Sequence, residues 1–154
     1  MISSERMSGS SQTKSNYTAW LLFAISGPEL NPELITQMLG IEPDRKLQAL
    51  ADRDGVWQIN STLDAGEKIE EHLREILHRL LPVRRKLREL ARDLHLEFYC
   101  AIEKQPGSSI LFAMPSRLML FAGYLEASVI WDVSDRGQSS RSGAGRKIVT
   151  PADA

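Results

Sequence analysis

The chain has a single cysteine, Cys100, among 154 residues. One thiol closes no internal disulfide and builds no thiolate metal site alone. A chain without disulfides fits a reducing compartment. Histidine is nearly as scarce, with only His72, His78 and His95. An excess of charge of one sign is lacking too: 19 Lys and Arg stand against 20 Asp and Glu, for a formal net charge of -1. Such a chain carries no global field to gather nucleic acid or an anionic membrane surface. Long apolar runs are missing. Ala19 to Ile25 is a run of seven, far short of the roughly 20 residues a membrane helix needs. Ser26-Gly27-Pro28-Glu29 follows it, without the small-x-small pattern of a leader cleavage site. The expected setting is the cytoplasm, with no membrane partner.

Catalytic signatures are absent as well. No serine sits in a G-x-S-x-G turn, and no Gly-rich phosphate loop follows a strand. Gly143-Ala144-Gly145-Arg146-Lys147 has the composition of one, but no strand pattern precedes it and no amphipathic helix follows.

What is present is an ordinary globular composition, 42% apolar and 25% charged, at a length suited to one domain. Residues 1–16 are Ser-rich, and residues 135–154 are rich in Gly and Ser with scattered Arg and Lys. Neither segment has enough to bury to offset the entropy of ordering it. Two disordered tails are expected around a folded domain at 17–134.

Within that domain the periodicity alternates between strand and helix. Residues 17–26 read as an inner strand covered on both faces. Asn31-Pro32-Glu33 opens a helix, with Leu34, Ile35, Met38 and Leu39 on its apolar face, and Gly40 ends it. Residues 41–54 read as a loop. Residues 56–62 form a strand carrying Trp57 and Ile59. From Asp64 to Leu81 the apolar stripe Ile69, Leu73, Ile76, Leu77, Leu80 has helical spacing. Pro82 interrupts it, and a second helical stripe continues through Leu87 to Leu94. Residues 94–103 alternate as a half-buried strand. Gln105-Pro106-Gly107-Ser108 is a turn returning 110–114 as a hairpin strand. A helix at 115–126 and a strand at 128–134 complete the order β-α-β-α(α)-β-β-α-β. This predicts an α+β sandwich of the ferredoxin-like type: a mixed or antiparallel sheet of about five strands, with helices mainly on one face.

Candidate chemistry is thin. His72 and His78 lie six apart, about 600° around a helix, so they cannot share a metal. Glu75-x-x-His78 has di-iron spacing, but no second such pair exists. Cys100 falls on an apolar strand face and reads as a buried, inert thiol. Asp52, Asp54, Asp64 and Glu67 flank the Trp57 strand and read as solvated loop acids. No catalytic residue, metal ligand or cofactor is expected. The densest cationic cluster is Arg84, Arg85, Lys86 and Arg88. Glu89 and Asp93 sit among these cations, and no aromatic side chain interleaves to stack bases.

Leu39-Gly40-Ile41, then Pro43-Asp44-Arg45, then Trp57 on a strand, then a helix with Glu71-His72-Leu73 ending at Leu81-Pro82, resembles a bacterial family of domains of unknown function, DUF4279. The resemblance covers 17–134, and Asp132 matches an aspartate often carried by the family's last strand. It implies a compact stand-alone bacterial domain and supplies no activity. Leu39, Gly40, Pro43, Asp44 and Trp57 also have structural readings as core, helix stop, turn and core.

The leading expectation is a non-enzymatic module that binds another protein, as an immunity or accessory factor, through Arg84, Arg85 and Arg88 or a sheet edge. A small-ligand site or an unrecognised enzyme pocket near Trp57, Tyr99 and Trp131 is the alternative. Weak nucleic-acid binding through the same arginines and the basic tail is a third reading, and homodimerisation by edge pairing is open.

Overall fold

The computed structural model describes residues 15–137; most of each expected tail lies outside them. The chain runs β1 (Tyr17–Gly27), α1 (Pro32–Leu39), β2 (Arg45–Leu47), β3 (Gly55–Asn60), α2 (Ile69–Leu80), a 3-10 turn (Leu81–Val83), α3 (Arg84–Leu90), β4 (His95–Lys104), α4 (Ser116–Leu125) and β5 (Ser128–Asp135). The strands form one sheet in the order β2-β3-β1-β4-β5. β4 and β5 are parallel, and the other neighbours are antiparallel. The expected α+β class, with five strands in a mixed sheet, is what the structure shows.

β1 lies at the centre of the sheet, and its burial alternates from residue to residue. Tyr17, Ala19, Leu21, Phe23 and Ile25 are buried in the core, while Thr18, Trp20, Leu22, Ala24 and Ser26 are half-buried on the other face. The strand is inner in the sheet, as its apolar composition predicts, but only one face is fully covered. That face meets Ile35 and Leu39 of α1, Ile69, Leu73, Ile76, Leu77 and Leu80 of α2, Leu87 of α3, and Leu118, Phe121 and Leu125 of α4 in one core. Phe23, Phe98 and Phe121 step through its middle, with ring centroids 4.9 and 6.5 Å apart. Each such side chain contributes roughly 1.5–3 kcal/mol by leaving water.

The helix ends follow local chemistry. Asn31 Oδ1 accepts the Glu33 backbone N–H at 3.1 Å and caps α1. Gly40 ends that helix at φ 67°, where its N–H reaches Thr36 O at 2.8 Å. Pro82 separates α2 from α3 through the 3-10 turn. Leu81 and Val83 are half-buried there and pack against the core.

Two segments differ from the sequence expectation. The loop expected over 41–54 contains β2, where Arg45 pairs with Gln58 and Leu47 with Val56; three residues are too few to show a period. The hairpin strand expected at 110–114 does not form. Parallel β5 pairs with β4 from Glu97↔Ser128 to Lys104↔Asp135 and takes that side of the strand. The displaced segment instead stacks Phe112 on Trp131, with centroids 4.7 Å apart. The Ala113 N–H donates to Glu70 Oε1 at 2.9 Å. The fifth strand is therefore β2 rather than 110–114.

Candidate functional site

α3 and α4 lie side by side on the covered face of the sheet. Leu87 anchors α3 in the core, and Leu118, Phe121, Ala122 and Leu125 anchor α4. Helical spacing then sends Arg84, Arg85 and Arg88 to one flank of α3. That flank faces α4: Arg88 Nη1 lies 3.2 Å from Glu126 Oε1 just past α4. The same guanidinium sits 6.0 Å from the centroid of the Tyr124 ring, within cation–π range. Arg84 donates to Leu81 O at 3.0 Å, and Arg85 is exposed. The outward side of α4 is also apolar. Met119, Leu120 and Tyr124 are 53%, 75% and 44% exposed, with Arg117 exposed on the same helix. Ordinary surface helices are polar on their outer face. Here two faces of one helix are apolar, and only one is used by the core. The signal was in the sequence, since an inward set of Leu118, Phe121, Ala122 and Leu125 leaves Met119, Leu120 and Tyr124 outside.

The other sequence candidates are not brought together. Trp57 is fully buried on the helix-covered face, with Nε1 donating to Thr36 Oγ1 at 3.1 Å. Tyr99 lies on the opposite face, donating to Asp132 Oδ2, and Trp131 is at the β5 edge under Phe112. Trp57 and Tyr99 thus lie on opposite faces of the sheet, and the three residues are not brought together at one place. Cys100 is fully buried in the apolar core, which pushes its thiol up to about 12; a thiolate nucleophile there is disfavoured. Among the described residues, no group of three or more His, Cys, Asp and Glu side chains is placed to hold a metal ion.

One histidine pair invites a catalytic reading. His72 Nδ1 lies 2.7 Å from Ser61 Oγ. Burial pushes the imidazole below its usual range, against the opposing pull of Glu75 and Glu67 and of the Asp64 and Glu67 backbone carbonyls. A serine beside a neutral imidazole is the start of a nucleophile–base pair. The surroundings argue otherwise. His72 is 1% exposed, and Ser61 Oγ also accepts the Leu63 N–H at 3.3 Å. Glu75 Oε1 accepts from Thr62 Oγ1 at 3.0 Å and Arg79 at 3.3 Å, and Arg79 also holds Asn60 O at 2.9 Å. The group ties the 61–68 loop to α2, with the ring itself buried.

The second face of the sheet carries a hydrogen-bonded polar network. Gln58 Nε2 donates to Asn60 Oδ1 at 2.8 Å, the Asn60 N–H donates to Asp44 Oδ2 at 2.7 Å, and His95 Nε2 lies 3.2 Å from Glu97 Oε2. Asp44 thus fastens the turn before β2 to β3, and its own N–H reaches Gln58 O at 2.8 Å. Leu39 is buried, Gly40 stops α1, and Pro43 is half-buried ahead of Asp44.

Among the described residues, no helix is long and apolar enough to cross a membrane. A family model described as a domain of unknown function (DUF4279) matches residues 15–136. No curated protein and no solved structure matches the chain significantly.

Proposed function

The chain belongs to the DUF4279 family, whose description carries no activity, and we propose that it works as a non-enzymatic protein-interaction module docking through α3 and α4. The observation that carries this reading is the outward apolar face of α4, with Leu120 75% exposed. Apolar side chains grouped beside cations characterise recognition surfaces more than ordinary solvated helices. Arg84, Arg85, Arg88 and Arg117 border the patch, so the fitting partner is a polypeptide segment presenting apolar side chains flanked by carboxylates. A second copy is a poorer occupant, because pairing this surface with itself sets arginines against arginines. Nucleic acid is poorer still, because the cations border an aliphatic surface and Tyr124 is already engaged by Arg88. A bacterial cytoplasmic accessory or immunity role is the biological form of the same reading, supported by the resemblance and the lone buried thiol.

The test is capture of a partner from host lysate by tagged protein, alongside Leu120→Glu and Arg84→Glu/Arg85→Glu variants. Those side chains are exposed, so the variants are expected to melt like the native protein. One protein recovered in near-stoichiometric amount, lost with either variant and insensitive to nuclease, is the expected result. Capture indifferent to both variants, or material that disappears with nuclease, overturns the reading. A concentration-dependent doubling of mass abolished by Leu120→Glu would replace it with self-association.

A further inference from the structure

The opposite flank of α3 borders a different surface. The start of α1 and the residues after α3 enclose a groove of about 340 Å³. Leu34, Met38, Leu90 and Leu94 line it, and Leu34 is 59% exposed. Among the described residues, Glu29 and Asp93 are the only charged ones lining it, both exposed. Neither enters an ion pair among the described residues. The trough is therefore apolar along its length and anionic at its rim.

We propose that this groove is a second docking site, for a polypeptide segment that pairs an apolar side chain with a lysine or arginine. A leucine-sized side chain entering the trough would cover Leu34 and Leu90. A neighbouring cation would then stand beside Glu29 and Asp93, which pair with no cation among the described residues. A carboxylate in the same place would meet two like charges. The trough is half open, whereas small-molecule sites surround most of their ligand, and this selects an extended segment. The proposal is independent of the α4 surface, which has the opposite charge and a different set of residues.

The test uses the full chain, 15N-labelled, titrated with two capped peptides. One is acetyl-Ala-Leu-Lys-Ala-Leu-Lys-Ala-amide, and the other has Glu in place of each Lys. The Lys peptide is expected to shift the amide signals of Leu34, Met38 and Leu94 saturably. Its affinity should fall about threefold or more on raising NaCl from about 50 to about 500 mM, as screening of exposed charge requires. A Glu29→Gln/Asp93→Asn variant, with unchanged melting, should weaken it about fivefold, the scale of two exposed ion pairs. Leu34→Ser should weaken it at constant salt dependence. Equal shifts from both peptides, saturation only at signals outside the groove, no saturable shift, or native affinity in the double variant would each overturn the proposal. So would a protein dimer that occupies the groove without peptide. Signals of Met119 and Leu120 report separately on α4, so failure of one surface leaves the other readable.

Discussion

Trp57 shows how one side chain joins two elements. It is fully buried in β3, yet its indole N–H requires an acceptor, which Thr36 of α1 supplies at 3.1 Å. The same hydroxyl donates back to Pro32 O at 3.1 Å. Thr36→Val keeps the shape and strands the indole N–H. It should cost about 1–3 kcal/mol, read as a lower urea midpoint at unchanged slope. An unchanged midpoint would show that the indole finds another partner. The need for an acceptor was legible in the sequence, but its identity was not, because Thr36 lies in another element. His72 was only half legible. It lies three residues after Ile69 and four before Ile76, the spacing of a buried position, while its polarity argued for the surface. Its pKa is lowered by burial from an ordinary 6.5. The unfolded chain therefore takes up the proton first, and stability present above about pH 6.5 is lost as pH falls towards the folded value. Ser61, Glu67, Glu75 and the Asp64 and Glu67 carbonyls face the ring from the loop and from α2 itself. The melting temperature should fall across this acidic window in the native protein and less in His72→Gln. Parallel pH profiles would remove His72 as the source.

At the scale of elements, long periodic segments were legible and short or displaced ones were not. α2 buries the stripe Ile69, Leu73, Ile76, Leu77 and Leu80 that its spacing announces. β2 was invisible because an edge strand of three residues has neither length nor alternation. Residues 110–114 are a short apolar run after a turn and read as a hairpin strand, but such a run carries no information about which neighbour wins the side of β4. β5 wins in parallel register, and the loser becomes a flap whose Phe112 covers Trp131. If that stack fastens the flap, Phe112→Ala should destabilise the fold by about 1–2 kcal/mol, combining lost stacking and partial burial. Trp131 should gain solvent contact, seen as a red shift in indole emission. A blue shift or no shift would mean the flap is held by the Glu70–Ala113 bond alone. The exposed apolar side of α4 was recoverable from the same helical arithmetic that identified its core side. The groove was not, since Glu29, Leu34 and Asp93 meet only when α1 and α3 are placed together.

At the scale of the whole molecule, a net charge of -1 conceals a division of charge across α3. One flank carries Arg84, Arg85 and Arg88, with Arg88 reaching Glu126 and Tyr124, and the other borders a groove with Glu29 and Asp93. Both surfaces depend on helices, so their rigidity is set by the sheet beneath. β1 is paired on both sides, with Phe23 opposite Ile59 and Phe98. β4 is paired on both sides as well, by β1 and β5. β2 hangs from β3 by three register pairs at the edge. Backbone amides that open only on global unfolding should therefore concentrate in the middle of β1 and β4, which are paired on both sides and lie over the Phe23–Phe98–Phe121 core. Native-state hydrogen exchange should find Leu21, Phe23, Phe98 and Cys100 among the slowest amides, with opening free energies close to the global value. Lys46 and Leu47 should exchange by local fraying and respond little to denaturant. Equally slow exchange in β2 would mean that the Asp44–Asn60 and Asp44–Gln58 bonds weld that edge into the cooperative unit. Mutations in the α1–β2 turn would then propagate to the groove, whereas a frayed edge confines them to β2.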